Sequence, residues 1–230
     1  MLEILFEDEC LIAIDKPAGL VVHPTYKNPD GTLLDELRAR EPDVTLSLVG
    51  RLDKLTSGIV VVAKSAAVHA AMQKAWPEAE KDYLAVVRGC VDPVRDEIDL
   101  PLGTDPADRR RRMVRPDGAS CLTRYERLEY DSTSDRSLVQ CRLATGRTHQ
   151  IRVHLAARGW PIVGDAVYGE EVEGFPRHAL HAWRLVLTHP ASGARLQIEA
   201  PAPAALTAQL RSKRGRVPTA NQAASSEGRG

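Results

Sequence analysis

Between Ser57 and Lys64 the chain reads Gly58-Ile59-Val60-Val61-Val62-Ala63, an almost unbroken β-branched run. Such a run lacks the apolar-polar alternation of a half-exposed strand, and β-branched side chains crowd the preceding turn of a helix. It predicts a strand covered on both faces, so the rest of the chain must fold around it.

Further strands are expected over residues 2–6, 11–14, 82–88, 98–102, 120–130 and 138–143, with a hairpin of 180–187 and 195–198 around Ser192-Gly193. Helical spacing of Leu33, Leu34 and Leu37 predicts a helix over 32–40 that Pro42 ends, and Ser65 opens an Ala-rich helix that Pro77 stops. A third helix, 149–158, has Thr148 as its expected cap and closes at Gly159. Strands outnumber helices and most connections are too short for parallel crossovers, which predicts an α+β fold on a largely antiparallel mixed sheet with flanking helices.

At 230 residues, with 43% hydrophobic and 27% charged, the chain suits one folded domain. That domain is expected over residues 1–211, followed by a disordered polar and basic tail at 212–230, where hydrophobic residues are nearly absent. No apolar run is long enough for a bilayer, and the acidic start (Glu3, Glu7, Asp8, Glu9) lacks the order of a secretory signal, so a cytoplasmic location is expected. Cys10, Cys90, Cys121 and Cys141 stand singly, which reads as reduced structural thiols.

Lysines plus arginines number 31 and acids number 31. A zero sum argues against a nucleic-acid partner only if charge is evenly spread, and it is not. Arg109, Arg110, Arg111, Arg112 and Arg115 form a dense basic run, while acids gather at the amino terminus and around Glu170, Glu171 and Glu173. A basic face is therefore compatible with neutrality.

Two constellations can carry chemistry. In Arg51-Leu52-Asp53-Lys54-Leu55-Thr56-Ser57-Gly58, polar residues crowd the approach to the buried strand, and alternation puts Arg51 and Asp53 on one side of an extended backbone. A surface loop with an ordinary ion pair is the competing reading. In Thr145-Gly146-Arg147-Thr148-His149-Gln150-Ile151-Arg152-Val153-His154, His149 and Arg152 share one helix face while Gln150 and His154 share another. A capped surface helix with satisfied polar groups would look the same.

The longer stretches that contain them, Arg51 to Lys64 and Thr145 to Asp165, with Asp15-Lys16-Pro17-Ala18-Gly19-Leu20-Val21-Val22-His23-Pro24 and Lys81-Asp82-Tyr83-Leu84-Ala85-Val86-Val87-Arg88-Gly89, resemble the ordered motif series of the RluA family of RNA pseudouridine synthases. Leu180-His181-Ala182 and Leu187-Thr188-His189-Pro190 extend the resemblance to about Pro201. It implies an isomerase that converts uridines of ribosomal or transfer RNA to pseudouridine. Asp53 matches the family's catalytic aspartate, Arg152 the arginine that pairs with it, Tyr83 the aromatic residue against the target base, and Arg51 an arginine that fills the space left by the flipped nucleotide. Leu84, Ile151 and the Gly58 strand would form apolar walls.

What this implies is chemically coherent. The reaction needs neither metal nor redox cofactor, only a carboxylate shielded from water, with a guanidinium beside it favouring the charged form. The aspartate could attack the sugar or act on it as a base. Structured RNA is the implied partner of a monomer, with Arg147, His149, Gln150, Lys16, Arg109, Arg111 and Arg112 added to Arg51 as RNA contacts.

The sequence also departs from the family. Gly50 stands where the family commonly has histidine, and no lysine follows Gly118. Two other readings compete: a metal-dependent hydrolase built from His149, His154, His178, His181 and His189, and a non-catalytic RNA-binding protein that keeps the fold.

Overall fold

The computed structural model describes residues 2–26, 28–172, 175–208 and 210; the tail expected at 212–230 lies outside these. In chain order the strands are β1 (Glu3–Glu7), β2 (Leu11–Lys16), β3 (Ser47–Leu48), β4 (Ser57–Ala63), β5 (Glu80–Arg88), β6 (Arg95–Asp99), β7 (Leu102–Thr104), β8 (Arg112–Val114), β9 (Leu122–Asp131), β10 (Arg136–Leu143), β11 (Leu180–Thr188) and β12 (Arg195–Glu199). The helices are α1 (Leu33–Arg40), α2 (Ala66–Ala75), α3 (Gln150–Ala157) and the short α4 (Ala204–Ala208). Ten strands form one mixed sheet in the order β1-β2-β4-β11-β5-β10-β9-β6, with β3 on β4 and β12 on β11.

The β-branched run is β4, and all seven of its residues are buried. Alternation divides them between two layers. Val60 and Val62 pack with Ile12, Ile14 and the α1 leucines 33, 34 and 37. Ile59, Val61 and Ala63 pack on the other face with Leu11, Ala13 and Met72 of α2. Burying each large aliphatic side chain contributes roughly 1.5–3 kcal/mol, which makes β4 the stable ledge from which the preceding loop projects. A third cluster joins Ile151 and Leu155 of α3 to Leu84, Val86 and Leu138.

Among the described strands β4 and β11 make the single parallel pairing, at His181↔Ser57 and Ala182↔Gly58. Gly58 permits it: its φ is +108° and an added Cβ would stand 2.2 Å from the Ala182 carbonyl oxygen. The antiparallel bias read from short connections holds for the other pairings in the sheet.

Four local expectations are corrected. The strand expected at 98–102 is two strands, because Pro101 has no N–H for a ladder. After it, β7 leaves the sheet and pairs with β8 in a separate hairpin that carries the arginine run. Pro77 does not simply end α2. It sits in a 3₁₀ turn, Trp76–Glu78, near whose start a missing N–H is tolerated. Thr148 is not the cap of α3: His149 holds that position at φ +59°, without a side-chain cap bond. All four cysteines are free, but Cys90 is exposed in the turn after β5.

No helix among the described residues is long and apolar enough to cross a membrane.

Candidate active site

The loop between β3 and β4 is fastened before it reaches β4. The Lys54 carbonyl accepts from the Gly19 N–H at 2.8 Å and from the Lys16 ammonium at 3.1 Å, and the Asp53 carbonyl accepts from the Thr56 N–H at 3.1 Å. Lys16 also donates to the carbonyls of Pro17 and Leu20, each at 3.0 Å, and is fully buried. All three ammonium protons are therefore used inside the protein, and Lys16 is a strut for the Asp53 turn, not an RNA contact. Burial, with Arg177 nearby, pushes its ammonium down to about 8.

Asp53 and Arg152, 99 residues apart, meet over a cleft of about 340 Å³. The Arg152 Nη1 lies 3.0 Å from Asp53 Oδ2. Its other nitrogens hold Asp165 in a fork, Nε to Oδ2 at 2.7 Å and Nη2 to Oδ1 at 2.9 Å. Both Arg152 and Asp165 are buried. Burial opposes ionisation of Asp165, but the bonds and charge of Arg152, helped by the Val167 N–H, hold its carboxyl below the usual range.

His149 is the second group on Asp53, with Nε2 3.5 Å from Oδ2. Its Nδ1 lies 2.7 Å from the Tyr168 hydroxyl, which accepts from the Arg112 backbone N–H at 2.8 Å. Burial pulls this imidazole below its ordinary range, the Asp53 charge opposing. In the arrangement that suits all these groups, Tyr168 donates to Nδ1 and the neutral ring turns its Nε2–H toward Asp53. Tyr168 also carries the Arg152 guanidinium over its ring at 5.0 Å.

The two-face reading of α3 holds. His149 and Arg152 face Asp53, while Gln150 and His154 meet at the Thr123 hydroxyl on the other side, at 3.0 and 2.9 Å. Gln150 donates to Thr123 and the Leu122 carbonyl, and accepts from the Thr145 hydroxyl and the Arg147 N–H. Its side-chain amide braces the loop and is already engaged, which corrects the expectation of an RNA contact.

Tyr83, half-buried on β5, lines the cleft with Arg51, Arg147, Ile151 and Leu180. Burial, reinforced by the Asp53 charge, pushes its phenol upward. Arg51 and Arg147 are exposed. Two expected walls are not there: Leu84 is in the core, and Gly58 lies beyond the cleft lining.

The arginine hairpin docks beside the cleft, where Arg111 donates to the Val167 carbonyl at 2.9 Å and Arg112 binds Tyr168 through its backbone. Arg109 and Arg111 are exposed and Arg112 is half-buried. Arg110 is tied to Asp108 and Arg115 to Asp117.

The five histidines of the metal reading have separate partners. Besides His149 and His154, His178 faces the Thr56 hydroxyl, His181 the Ser57 hydroxyl, and His189 stands 2.7 Å from Asp8. Among the described residues one group, Asp8, Cys10 and His189, is close enough to share an ion, and none of the three lines the cleft. There the Ser192 N–H donates to His189 Nδ1, and Nε2 is the nitrogen that faces Asp8.

Asp165 and Tyr168 were missed as site residues. A carboxylate and an aromatic between Gly164 and Gly169, after the apolar Ile162-Val163, were the available signal.

The family described as RNA pseudouridylate synthase matches residues 10–157. The chain belongs to that family. A ribosomal large subunit pseudouridine synthase D of Nitrosomonas europaea is 44% identical over 229 residues, 93% of this chain and 65% of that protein. Its counterpart in Xanthomonas campestris is 41% identical over 222 residues, 88% of this chain and 66% of that protein. The chain thus spans just under two thirds of these two relatives. Among solved structures, the human RNA pseudouridylate synthase domain containing 1 superposes with a TM-score of 0.78 at 28% identity, covering 97% of this chain and 93% of that one. The pseudouridine synthase fold accounts for the ten-stranded sheet and for the cleft between the Asp53 loop and α3.

Proposed function

We propose that this protein is an RNA pseudouridine synthase whose substrate is large-subunit ribosomal RNA, with Asp53 as the reacting carboxylate. The observation that carries the reading is the 3.0 Å contact between Arg152 Nη1 and Asp53 Oδ2 at the cleft floor, where Tyr83 offers an aromatic wall. The names of the two bacterial relatives support the choice of ribosomal over transfer RNA.

The chemistry closes without a redox partner. The bond from ribose C1′ to uracil N1 breaks, the base turns, and C1′ bonds to C5; C5 loses a proton and N1 gains one, so the product is an isomer. Asp53 acts on the sugar, either as nucleophile at C1′ or as a base, while Arg152 orients it and balances its charge. His149, neutral and directed at the same oxygen, completes the setting.

A uridine in folded RNA must first leave its stack, at a cost of a few kcal/mol. Stacking on Tyr83, with phosphates met by Arg51, Arg147 and the exposed Arg109 and Arg111, offsets that cost. The protein acts as a monomer in the cytoplasm.

Loss of the C5 proton provides the assay. Unmodified large-subunit ribosomal RNA transcribed with [5-³H]uridine should release tritium with the parent protein, and Asp53→Asn should release none while binding that RNA within about twofold, since the isosteric amide keeps the cleft shape. Equal release by both proteins would remove Asp53 from the chemistry. Release from transfer RNA transcripts alone would overturn the substrate, and RNA binding with no release from either RNA would make this a binding protein.

A further inference from the structure

Gly50, the departure from the family's usual histidine, is covered by a tryptophan. An added Cβ at Gly50 would lie 2.5 Å from Trp76 Cζ2 and 3.0 Å from Cε2, so the indole occupies the space into which a side chain at 50 would grow.

Trp76 does not act alone. His69, Gln73 and Trp76 are spaced i, i+4, i+7, one face of α2 and the turn that continues it. That face grips three consecutive residues of the incoming loop. His69 Nε2 meets the Leu48 carbonyl at 3.0 Å, the Gln73 amide donates to the Val49 carbonyl at 2.9 Å, and the indole lies on Gly50. The next three residues are Arg51, Leu52 and Asp53. The indole is held in turn: Lys81 donates to the Trp76 carbonyl at 2.8 Å and sets its ammonium 5.4 Å from the ring centroid. Lys81 stands two residues before Tyr83 on β5, and Trp76, Arg51 and Tyr83 line one small hollow beside the cleft.

We propose that Trp76, seated on Gly50 at the end of this gripping face, is a positioning residue that fixes the approach of the Asp53 turn. The outgoing side of the turn is anchored by Lys16 and Gly19, and the α2 face anchors the incoming side. A reacting carboxylate displaced by about 1 Å can lose on the order of 100-fold in rate, so the position of this turn governs turnover more than RNA affinity. The proposal rests on the synthase reading above.

The test compares Trp76→Ala, Trp76→Phe, Gly50→Ala and the Gly50→Ala/Trp76→Ala pair with the parent protein, using the [5-³H]uridine ribosomal transcript. Trp76→Ala and Gly50→Ala should each lower kcat by about tenfold or more with KM within about twofold, and Trp76→Phe should retain most of kcat. In the double variant the added Cβ meets no indole, so Gly50→Ala should cost little beyond Trp76→Ala. Amide hydrogen exchange across residues 49–56 should speed up in Trp76→Ala while β5 and β10 keep their protection. Unchanged kcat in Trp76→Ala, an equal cost of Gly50→Ala with and without the indole, or unchanged exchange over 49–56 would each overturn the proposal. If Trp76→Ala does not fold, Gly50→Ala and Trp76→Phe against the parent decide by the same two measurements. A parent protein that releases no tritium would sink the synthase reading instead, and the exchange result would still decide whether the indole positions the turn.

Discussion

Arg152 divides one guanidinium between two carboxylates, Asp165 behind it and Asp53 in front, with three of its nitrogens engaged. The fork on Asp165 leaves Arg152 one free orientation, and that orientation delivers Nη1 to Asp53. Asp165 thereby aims Arg152 from a buried position that RNA does not need to reach.

Asp165→Asn should reveal that division. Losing one charge of a buried pair leaves Arg152 under-compensated, and breaking such pairs costs about 3–5 kcal/mol. Urea unfolding should show a loss of that order, and tritium release should fall by more than the unfolded fraction explains. A variant with parental turnover would show that the fork on Asp165 does not set the Asp53 contact.

Lys16→Met should separate strut from RNA contact. The Pro17 and Leu20 carbonyls lose this donor, while the Lys54 carbonyl keeps the Gly19 N–H, and an unsatisfied buried acceptor costs about 1–3 kcal/mol. Stability and turnover should drop, while the salt dependence of RNA binding stays parental because a buried ammonium neutralises no phosphate. A slope shallower by about one unit in a plot of log affinity against log salt would restore Lys16 to the RNA face.

Arg51→Ala, Arg147→Ala and Arg109→Ala should behave in the opposite way. Each is exposed and should weaken binding to ribosomal and unrelated RNA alike, lowering the salt slope by up to about one unit while the melting temperature holds. Filter binding at several salt concentrations reads this directly, and three parental slopes would put the RNA elsewhere on the surface.

Acid should destabilise the fold through two buried rings. Burial pushes both His178 and His181 down to about 4 from an unfolded value of 6.5. Below pH 6.5 the unfolded chain takes up protons that the folded rings refuse, so stability is full above that value and falls as pH drops toward 4. Each ring contributes roughly 3 kcal/mol to that loss. Urea midpoints at pH 7 and 4.5 should differ accordingly, and His178→Gln should flatten the slope; an unchanged slope would mean that His178 is not held neutral.

The joint candidacy of Asp53 and Arg152 came from the motif resemblance, while the sequence by itself determined β4, the short antiparallel connections and the two faces of α3. These are local properties: β-branched crowding, helical spacing and turn chemistry act within a few residues of chain. It did not determine which polar groups face the cleft. Lys16 and Gln150 carry the same donors whether they meet RNA or acceptors of their own fold, and only packing against the carbonyls of Leu20, Lys54 and Leu122 and the Thr123 hydroxyl decided for the fold. Gly50 likewise read as a missing side chain until α2 laid Trp76 over it. Asp165, Tyr168 and Trp76 act across contacts that no local spacing encodes, because a buried polar group is defined by the partner the fold brings to it.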